Sequence, residues 1–351
     1  MTAPQAPYAP TSAAAAAANR HRSGTAARLA GITRIARIAR IAGPLLLALF
    51  TAGAWAQDGP AAAQARSAKR GIAYDIATPA DLAALSSGVA WWYNWAPEPH
   101  RDLGPPGPAA RAMDFVPMMW NEHADAARVE AYLRAHPSVR HLLVLNEPNL
   151  VGQANRSPAA AAAIWPVFEA IAARSGVGIV GPAITWGTMP GHEDPVAWLD
   201  AFIAAYRAAH GGRAPRIDAL AFHWYDYGLD AQLSRLEKYG KPFWVTELAN
   251  WHDLPGGARI DSVEKQKAQM TEMVAVCERR ADVIRYAWFT GRWSPDPHHT
   301  SLLAADGVPT ELGRHYLGLP AGPARLRAPR RRPRGACRAP AGTAPRRRRA
   351  G

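Results

Sequence analysis

The chain has 351 residues, 48% hydrophobic and 20% charged, enough for one large core or two smaller ones. Its 41 Lys and Arg against 28 Asp and Glu give a net charge of +13, which on its face points to an anionic partner. The excess sits at the ends: about 6 Arg precede Gln57 and about 11 follow Leu317 with no acidic residue in either stretch, so the part between is mildly acidic and no nucleic-acid partner is expected.

In chain order, the first readable element is Ile41 to Ala56, IAGPLLLALFTAGAWA, an apolar run preceded by Arg34, Arg37 and Arg40 and closed by Ala54-Trp55-Ala56. That pattern predicts a cleaved export signal, hence a secreted or periplasmic protein, and it is too short for a comfortable membrane span. Residues 1–66 read as signal and Ala-rich leader, 67–317 as the folded domain, and 318–351 as a disordered Arg/Pro tract. The two cysteines, Cys277 and Cys337, offer neither a disulfide framework nor a thiolate metal site.

Within 67–317, eight strand-length apolar runs recur: Arg70–Asp75, Val89–Trp95, Asp114–Trp120, His141–Glu147, Gly178–Ile184, Ile217–Tyr225, Pro242–Ala249 and Val283–Thr290. None alternates cleanly, as expected of parallel strands buried on both faces. Helical patterns lie between them, with Thr78-Pro79 and Asp194-Pro195 as N-cap and first-turn proline pairs, and with further segments near 122–136, 158–174, 229–239 and 262–280. The Pro/Gly-rich stretch 96–112 predicts a second helix that is reduced or missing. Eight strand-helix repeats indicate a single (β/α)8 TIM barrel; an open doubly wound sheet is the competing fold, but no Gly-rich phosphate loop follows the first strand.

In such a barrel the chemistry sits at the C-terminal strand ends. Two glutamates end apolar runs there: Glu147 in Asn146-Glu147-Pro148-Asn149, and Glu247 after Phe243-Trp244-Val245-Thr246. Alternation along each strand puts Leu143 and Leu145 on the side of Glu147, and Phe243 and Val245 on the side of Glu247, with Trp244 opposite. Two carboxyls facing one another across the mouth suit glycosidic hydrolysis, one protonating the leaving oxygen and the other attacking, with retention at a separation of about 5 to 5.5 Å.

Asn146-Glu147-Pro148 on a fourth strand and Thr246-Glu247 on a seventh resemble clan A of the glycoside hydrolases, and LVLNEPN, AFHWY and WVTEL in a compact barrel resemble glycoside hydrolase family 128. The resemblance covers about residues 70–317. It implies a retaining endo-β-1,3-glucanase acting on a β-glucan polysaccharide, with Glu147 as acid/base, Glu247 as nucleophile and Asn146 as donor to the sugar 2-hydroxyl. No cofactor and no metal are implied, and a monomer is expected.

Further substrate-binding candidates come from strand ends. On the sixth strand Ala219, Ala221, His223 and Tyr225 share a face, which sends His223 and Tyr225 toward the carboxylates. Flat indoles offer apolar faces to sugar rings, and Trp92, Trp120, Trp251 and Trp288 lie at strand ends or just beyond, with Trp288 expected as the floor of the cleavage site. Asn94 and Tyr74 end the second and first strands. Competing readings are another clan A glycanase (mannanase, xylanase or cellulase), a non-catalytic polysaccharide-binding barrel, and a metal-dependent hydrolase using His223, Asp226, His252, Asp253, His298 or His299. The last lacks a metal-ligand spacing.

Overall fold

The structure is a computed structural model that describes residues 66–104, 107–254 and 256–322. The export segment and the Arg-rich tract from 323 onward lie outside the described residues.

Nine parallel strands form one sheet: β1 (Arg70–Ala73), β2 (Trp91–Tyr93), β3 (Asp114–Phe115), β4 (Met118–Met119), β5 (His141–Val144), β6 (Gly178–Ile184), β7 (Ala219–Trp224), β8 (Phe243–Leu248) and β9 (Val283–Trp288). Their order is β3-β2-β1-β9-β8-β7-β6-β5-β4. The two edge strands, β3 and β4, are halves of the one run expected over 114–120. Val116 N–H still bonds back to Trp92 and the Pro117 carbonyl bonds forward to Leu143. Pro117 has no N–H to continue a ladder, so the stave breaks there and the ring is closed by the chain itself. The eight expected staves are therefore present, in a TIM-barrel arrangement.

A helix follows each stave: α1 (Pro79–Ser86), α2 (Pro108–Ala112), α3 (Ala126–Ala135), α4 (Pro158–Ser175), α5 (Pro195–Ala209), α6 (Leu229–Leu236), α7 (Val263–Arg279) and α8 (Glu311–Gly318). Thr78 and Asp194 cap α1 and α5 by accepting from the N–H groups of Asp81 and Val196, as their sequences predict. The second helix is reduced to five residues, preceded by a short 3-10 turn at Arg101–Leu103. Among the described residues, no helix is long and apolar enough to cross a membrane.

Residues paired across parallel strands share a face, so the register tells which side chains enter the barrel. Trp91 pairs with Gly71, Gly71 with Ala287, and Trp244 with both Ala221 and Arg285. Although β1 and β9 separate their strands, Trp91 and Trp244 meet edge to face with ring centres 5.2 Å apart. The Arg285 guanidinium lies against both indoles, and His141 sits 4.9 Å from Trp244. These four side chains fill the lower bore. Trp91 crosses directly over Gly71, where a Cβ atom would lie 2.3 Å from the indole, so only glycine fits there. The opposite face, with Ile72, Trp92, Tyr286 and Trp288, packs against the helices.

Residues 318–322, which composition assigns to the tail, are docked on the barrel. The buried guanidinium of Arg70 donates to the carbonyls of Tyr316, Leu317, Leu319 and Pro320, and Gly322 N–H donates to Glu278. The folded unit thus runs five residues past the expected boundary at 317.

Candidate active site

Glu147 follows β5 in a turn in which Leu145 and Glu147 both have positive φ, 58° and 44°. Non-glycine residues rarely occupy this region, at a cost of about 1–3 kcal/mol each, and such turns persist only where neighbours hold them. Here Glu147 N–H donates to the Ala183 carbonyl at the end of β6. Asn149 completes the grip: its buried amide donates to the carbonyls of Thr185, His192 and Glu193, and its own carbonyl accepts from Thr188 and Met189. The β5 turn is thereby fastened to the β6 loop, and the Glu147 carboxyl is aimed into the mouth with 2% of the residue exposed.

Glu247 reaches the same mouth by a different route. Phe222 pairs with Val245, but the next residue, His223, pairs with Glu247, so Thr246 is an extra residue in β8. Trp244 points into the bore, and strict alternation would send Glu247 outward with Phe243 and Val245. The bulge at Thr246 reverses that and turns Glu247 inward. Glu247 faces the mouth as expected, but by the bulge and not by strand parity.

The two carboxyls are placed in contrasting surroundings. Glu247 Oε1 accepts from the Trp95 indole at 2.9 Å and the Tyr93 hydroxyl at 3.2 Å, and Oε2 accepts from the Tyr225 hydroxyl. Burial, then the charges of Glu247 and Glu147, hold both tyrosines well above the usual phenol range, so they remain donors. Glu147 has one side-chain partner, His223 Nδ1, at 2.9 Å from Oε1. Burial raises its pKa most, His223 opposes this and Glu247 reinforces it, for a net upward shift. Burial alone would lower the pKa of His223, but Glu247 and Glu147 outweigh it and raise it.

One oxygen of each glutamate and one nitrogen of His223 lie within 4.8 Å of one another, the one such cluster among the described residues. A cation has three ligand atoms here, yet the hydroxyl and indole protons aimed at Glu247 suit a carboxylate held by hydrogen bonds better than a metal ligand. The other ligand candidates do not converge: His252 pairs with Asp226, and His298 faces the Ile260 carbonyl.

Residues 71–316 match the family model described as Glycosyl hydrolase catalytic core. A solved GH128 (subgroup II) endo-β-1,3-glucanase from Pseudomonas viridiflava is 62% identical, aligned over 74% of this chain and 100% of that one at a TM-score of 0.72. The chain belongs to glycoside hydrolase family 128. A second family 128 subgroup II endo-β-1,3-glucanase, from Sorangium cellulosum, is 35% identical over 72% of this chain and 99% of its own, with a TM-score of 0.60. A subgroup I family 128 endo-β-1,3-glucanase from Amycolatopsis mediterranei, in complex with laminaritriose, is 30% identical over 72% and 99%, with a TM-score of 0.56. Comparison with curated proteins gave no match.

Of the candidates read from sequence, the structure brings His223 and Tyr225 onto Glu147 and Glu247, and Trp251 beside them, stacked on Tyr225 at 4.1 Å. Asn146, adjacent to Glu147, is buried; its side-chain amide donates to Gln153 at 3.3 Å, and among the described residues its side-chain carbonyl oxygen has no partner. Trp120 is half-buried at the end of β4, its carbonyl accepting from Asn146. Asn94 braces the loop after β2 through Asp75 and Glu98, and the Tyr74 hydroxyl accepts from Arg292; neither bonds to a carboxylate of the pair.

Two expectations are overturned. Trp288 is paired with Ile72 and Leu248 on the outer face, packs toward Tyr316 of α8 and donates to the Thr300 carbonyl, so it is no floor to the site. Trp92 likewise points outward, edge-on to Phe115, which meets Tyr132 of α3. In each case the next inward residue lines the site. Phe289 contacts Trp95, Tyr225, Trp251 and Trp293, and Tyr93 donates to Glu247. Asn149, Tyr93 and Phe289 escape a reading that looks for carboxylates and indoles; for Tyr93, the signal available was its shared parity with Trp91 and Trp95.

Proposed function

We propose that this glycoside hydrolase cleaves β-1,3-glucan internally and with retention, with Glu147 as acid/base and Glu247 as nucleophile. The observation that carries the reading is the contrast between the two carboxyls. Glu247 accepts from three side-chain donors, the setting of an acceptor suited to attack, whereas burial and the neighbouring negative charge favour the protonated form of Glu147. Carboxyl oxygens within 4.8 Å of one another suit direct attack better than the wider gap in which a water is activated.

In the first step a Glu247 oxygen bonds to the anomeric carbon as the glycosidic C–O bond breaks, and Glu147 delivers its proton to the departing oxygen. In the second, Glu147 takes a proton from a water whose oxygen attacks the same carbon, releasing Glu247 and restoring both groups. Asn146, next to Glu147, retains an N–H for the sugar 2-hydroxyl, and Trp251 offers an apolar ring face. The β-1,3 linkage and internal cleavage are carried by likeness to the Pseudomonas, Sorangium and Amycolatopsis endo-β-1,3-glucanases. We further read the protein as exported through Ile41–Ala56, on the strength of the Arg-flanked apolar run.

Laminarin, curdlan, mannan, xylan and cellulose offered side by side, with product sizing, test the assignment. Laminarin and curdlan cleaved to mixed oligosaccharides support it. Preferential turnover of mannan, xylan or cellulose, or release of glucose alone from the outset, overturns the linkage or the internal mode.

A further inference from the structure

A carboxylate has about four lone-pair positions, and in this structure those of Glu247 are crowded. Trp95 and Tyr93 donate to Oε1, Tyr225 donates to Oε2, and His223 Nδ1 lies 3.5 Å from Oε2. Oε1, with two donors, has no position left for a substrate hydroxyl until one of them leaves. The four neighbours differ in how easily they leave. Tyr93 and His223 are fully buried on β2 and β7, and Tyr225, at the end of β7, is 8% exposed and pinned under the Trp251 ring. Tyr93 also donates to the Thr246 carbonyl at the bulge.

Trp95 is the exception in each respect. It lies in the loop beyond β2, it is half-buried rather than buried, and its φ of 60° is in the left-handed region that disfavours side chains. Its indole contacts Tyr93 and Phe289 by edges, with ring centres 5.3 and 5.9 Å apart, instead of being stacked between them. Its N–H has Glu247 as sole acceptor.

Building on the reading of Glu247 as nucleophile, we propose that the Trp95 indole caps Glu247 in the free enzyme and is the donor an incoming sugar displaces before attack. Trp95 then acts as a selectivity filter. A ligand that fills the site well enough to move the ring uncovers the nucleophile, and one that does not leaves Glu247 capped and unreactive. The sugar 2-hydroxyl, a donor close to the attacking carboxylate, is the group suited to replace the indole N–H on Oε1.

The test uses a 2-deoxy-2-fluoro β-laminaribioside with an acidic phenol as leaving group. Glu247 forms the bond to the anomeric carbon, the bond to the phenol oxygen breaks, and phenolate departs without needing the Glu147 proton. Because the probe has no 2-hydroxyl to replace the indole N–H, it is sensitive to the cost of uncapping. Trp95→Phe keeps a ring and removes the N–H. The second-order inactivation rate of that variant is expected to rise on the order of tenfold, the factor one hydrogen bond to a charged acceptor carries. An unchanged or lower rate overturns the proposal.

Peptide mapping of the label separates the two claims. A label on Glu247 with an unchanged rate removes only the cap, whereas a label elsewhere removes the nucleophile assignment and the cap with it. Should Trp95→Phe fold poorly, Trp95→Leu, which likewise has no donor, serves in its place. A second readout uses the wild-type protein: the indole N–H resonance of Trp95, identified by its loss in either variant, is expected to shift upfield on saturation with laminaritriose. A resonance that stays in place with the site occupied contradicts the displacement.

Discussion

The Nδ1 atom of His223 lies 2.9 Å from Oε1 of Glu147, and both side chains are buried between β7 and the turn after β5. The same nitrogen is 3.5 Å from Oε2 of Glu247, so one imidazole bridges the two carboxyls. Burial raises the pKa of Glu147, and His223 is the main influence against that rise.

The pH dependence follows from that opposition. In its proposed role as acid, Glu147 donates a proton only while protonated, so activity should be lost as pH rises through its elevated pKa. Replacing His223 by Gln removes the group that lowers this pKa, and the basic limb of the kcat/KM profile is expected to move to higher pH. A limb that stays fixed or moves to lower pH contradicts the assignment of that limb to Glu147. The profile distinguishes this effect from a general loss of activity.

The donors on Glu247 make a second expectation. Tyr225→Phe and Tyr93→Phe each remove one hydroxyl from a charged acceptor, a loss of about 1.5–3 kcal/mol that reads as about 10- to 100-fold in kcat. Tyr225 should cost more, because its hydroxyl has Glu247 as sole acceptor whereas that of Tyr93 is shared with the Thr246 carbonyl. Steady-state kinetics on laminarin check the ranking; equal kcat in both variants and the wild type refutes it.

Inward and outward indoles predict opposite phenotypes. Trp288→Ala empties a fully buried site between β9 and α8 and should cost about 3–5 kcal/mol of stability, lowering Tm while the folded fraction keeps its KM. Trp251→Ala should instead raise KM for laminarin with a smaller change in Tm. Thermal melts and KM measured on the same preparations discriminate the two, and a raised KM for Trp288→Ala restores it to the cleft.

These indoles also show where the sequence is legible. Glu147 and Glu247 stand out because a carboxylate ending an apolar run has few other reasons to be there, and the eight staves stand out because each is bounded by helical periodicity or by Pro and Gly. The face of a stave is another matter. Alternation says which residues share a side, but in a barrel buried on both sides it does not say which side is the bore. Strand-end position therefore points to Trp92 and Trp288, while it is Tyr93 and Phe289 that occupy the site. At β8 the alternation itself fails, because the extra residue Thr246 shifts the register. The last helix leaves little trace in the sequence for a different reason. Glu311–Gly318 is eight residues long, follows an irregular loop and buries little beyond Leu312, Gly313 and Tyr316, so its periodicity is too brief to read.

The boundary at the C-terminal end gives a fourth expectation. A chain ending at Gly322 keeps all four carbonyls that accept from Arg70, whereas one ending at Leu317 lacks Leu319 and Pro320 and leaves part of a buried guanidinium unsatisfied. That loss should cost about 1–3 kcal/mol, read as a lower Tm for the shorter chain alone. Identical melting of the two chains contradicts the clamp.

The central claim, the division of roles between Glu147 and Glu247, is tested most directly by azide rescue on an aryl β-laminaribioside with an acidic phenol. Glu247→Ala has no nucleophile, so azide entering the vacated space should yield an α-glycosyl azide. Glu147→Ala still forms the glycosyl-enzyme, because that leaving group needs no proton, and azide attacking the intermediate should yield a β-glycosyl azide. The anomeric configuration of the two products, read by NMR, decides the matter: α from Glu247→Ala with β from Glu147→Ala is the predicted result, and the reverse pattern, or modest equal losses in the two variants with no azide product, contradicts it.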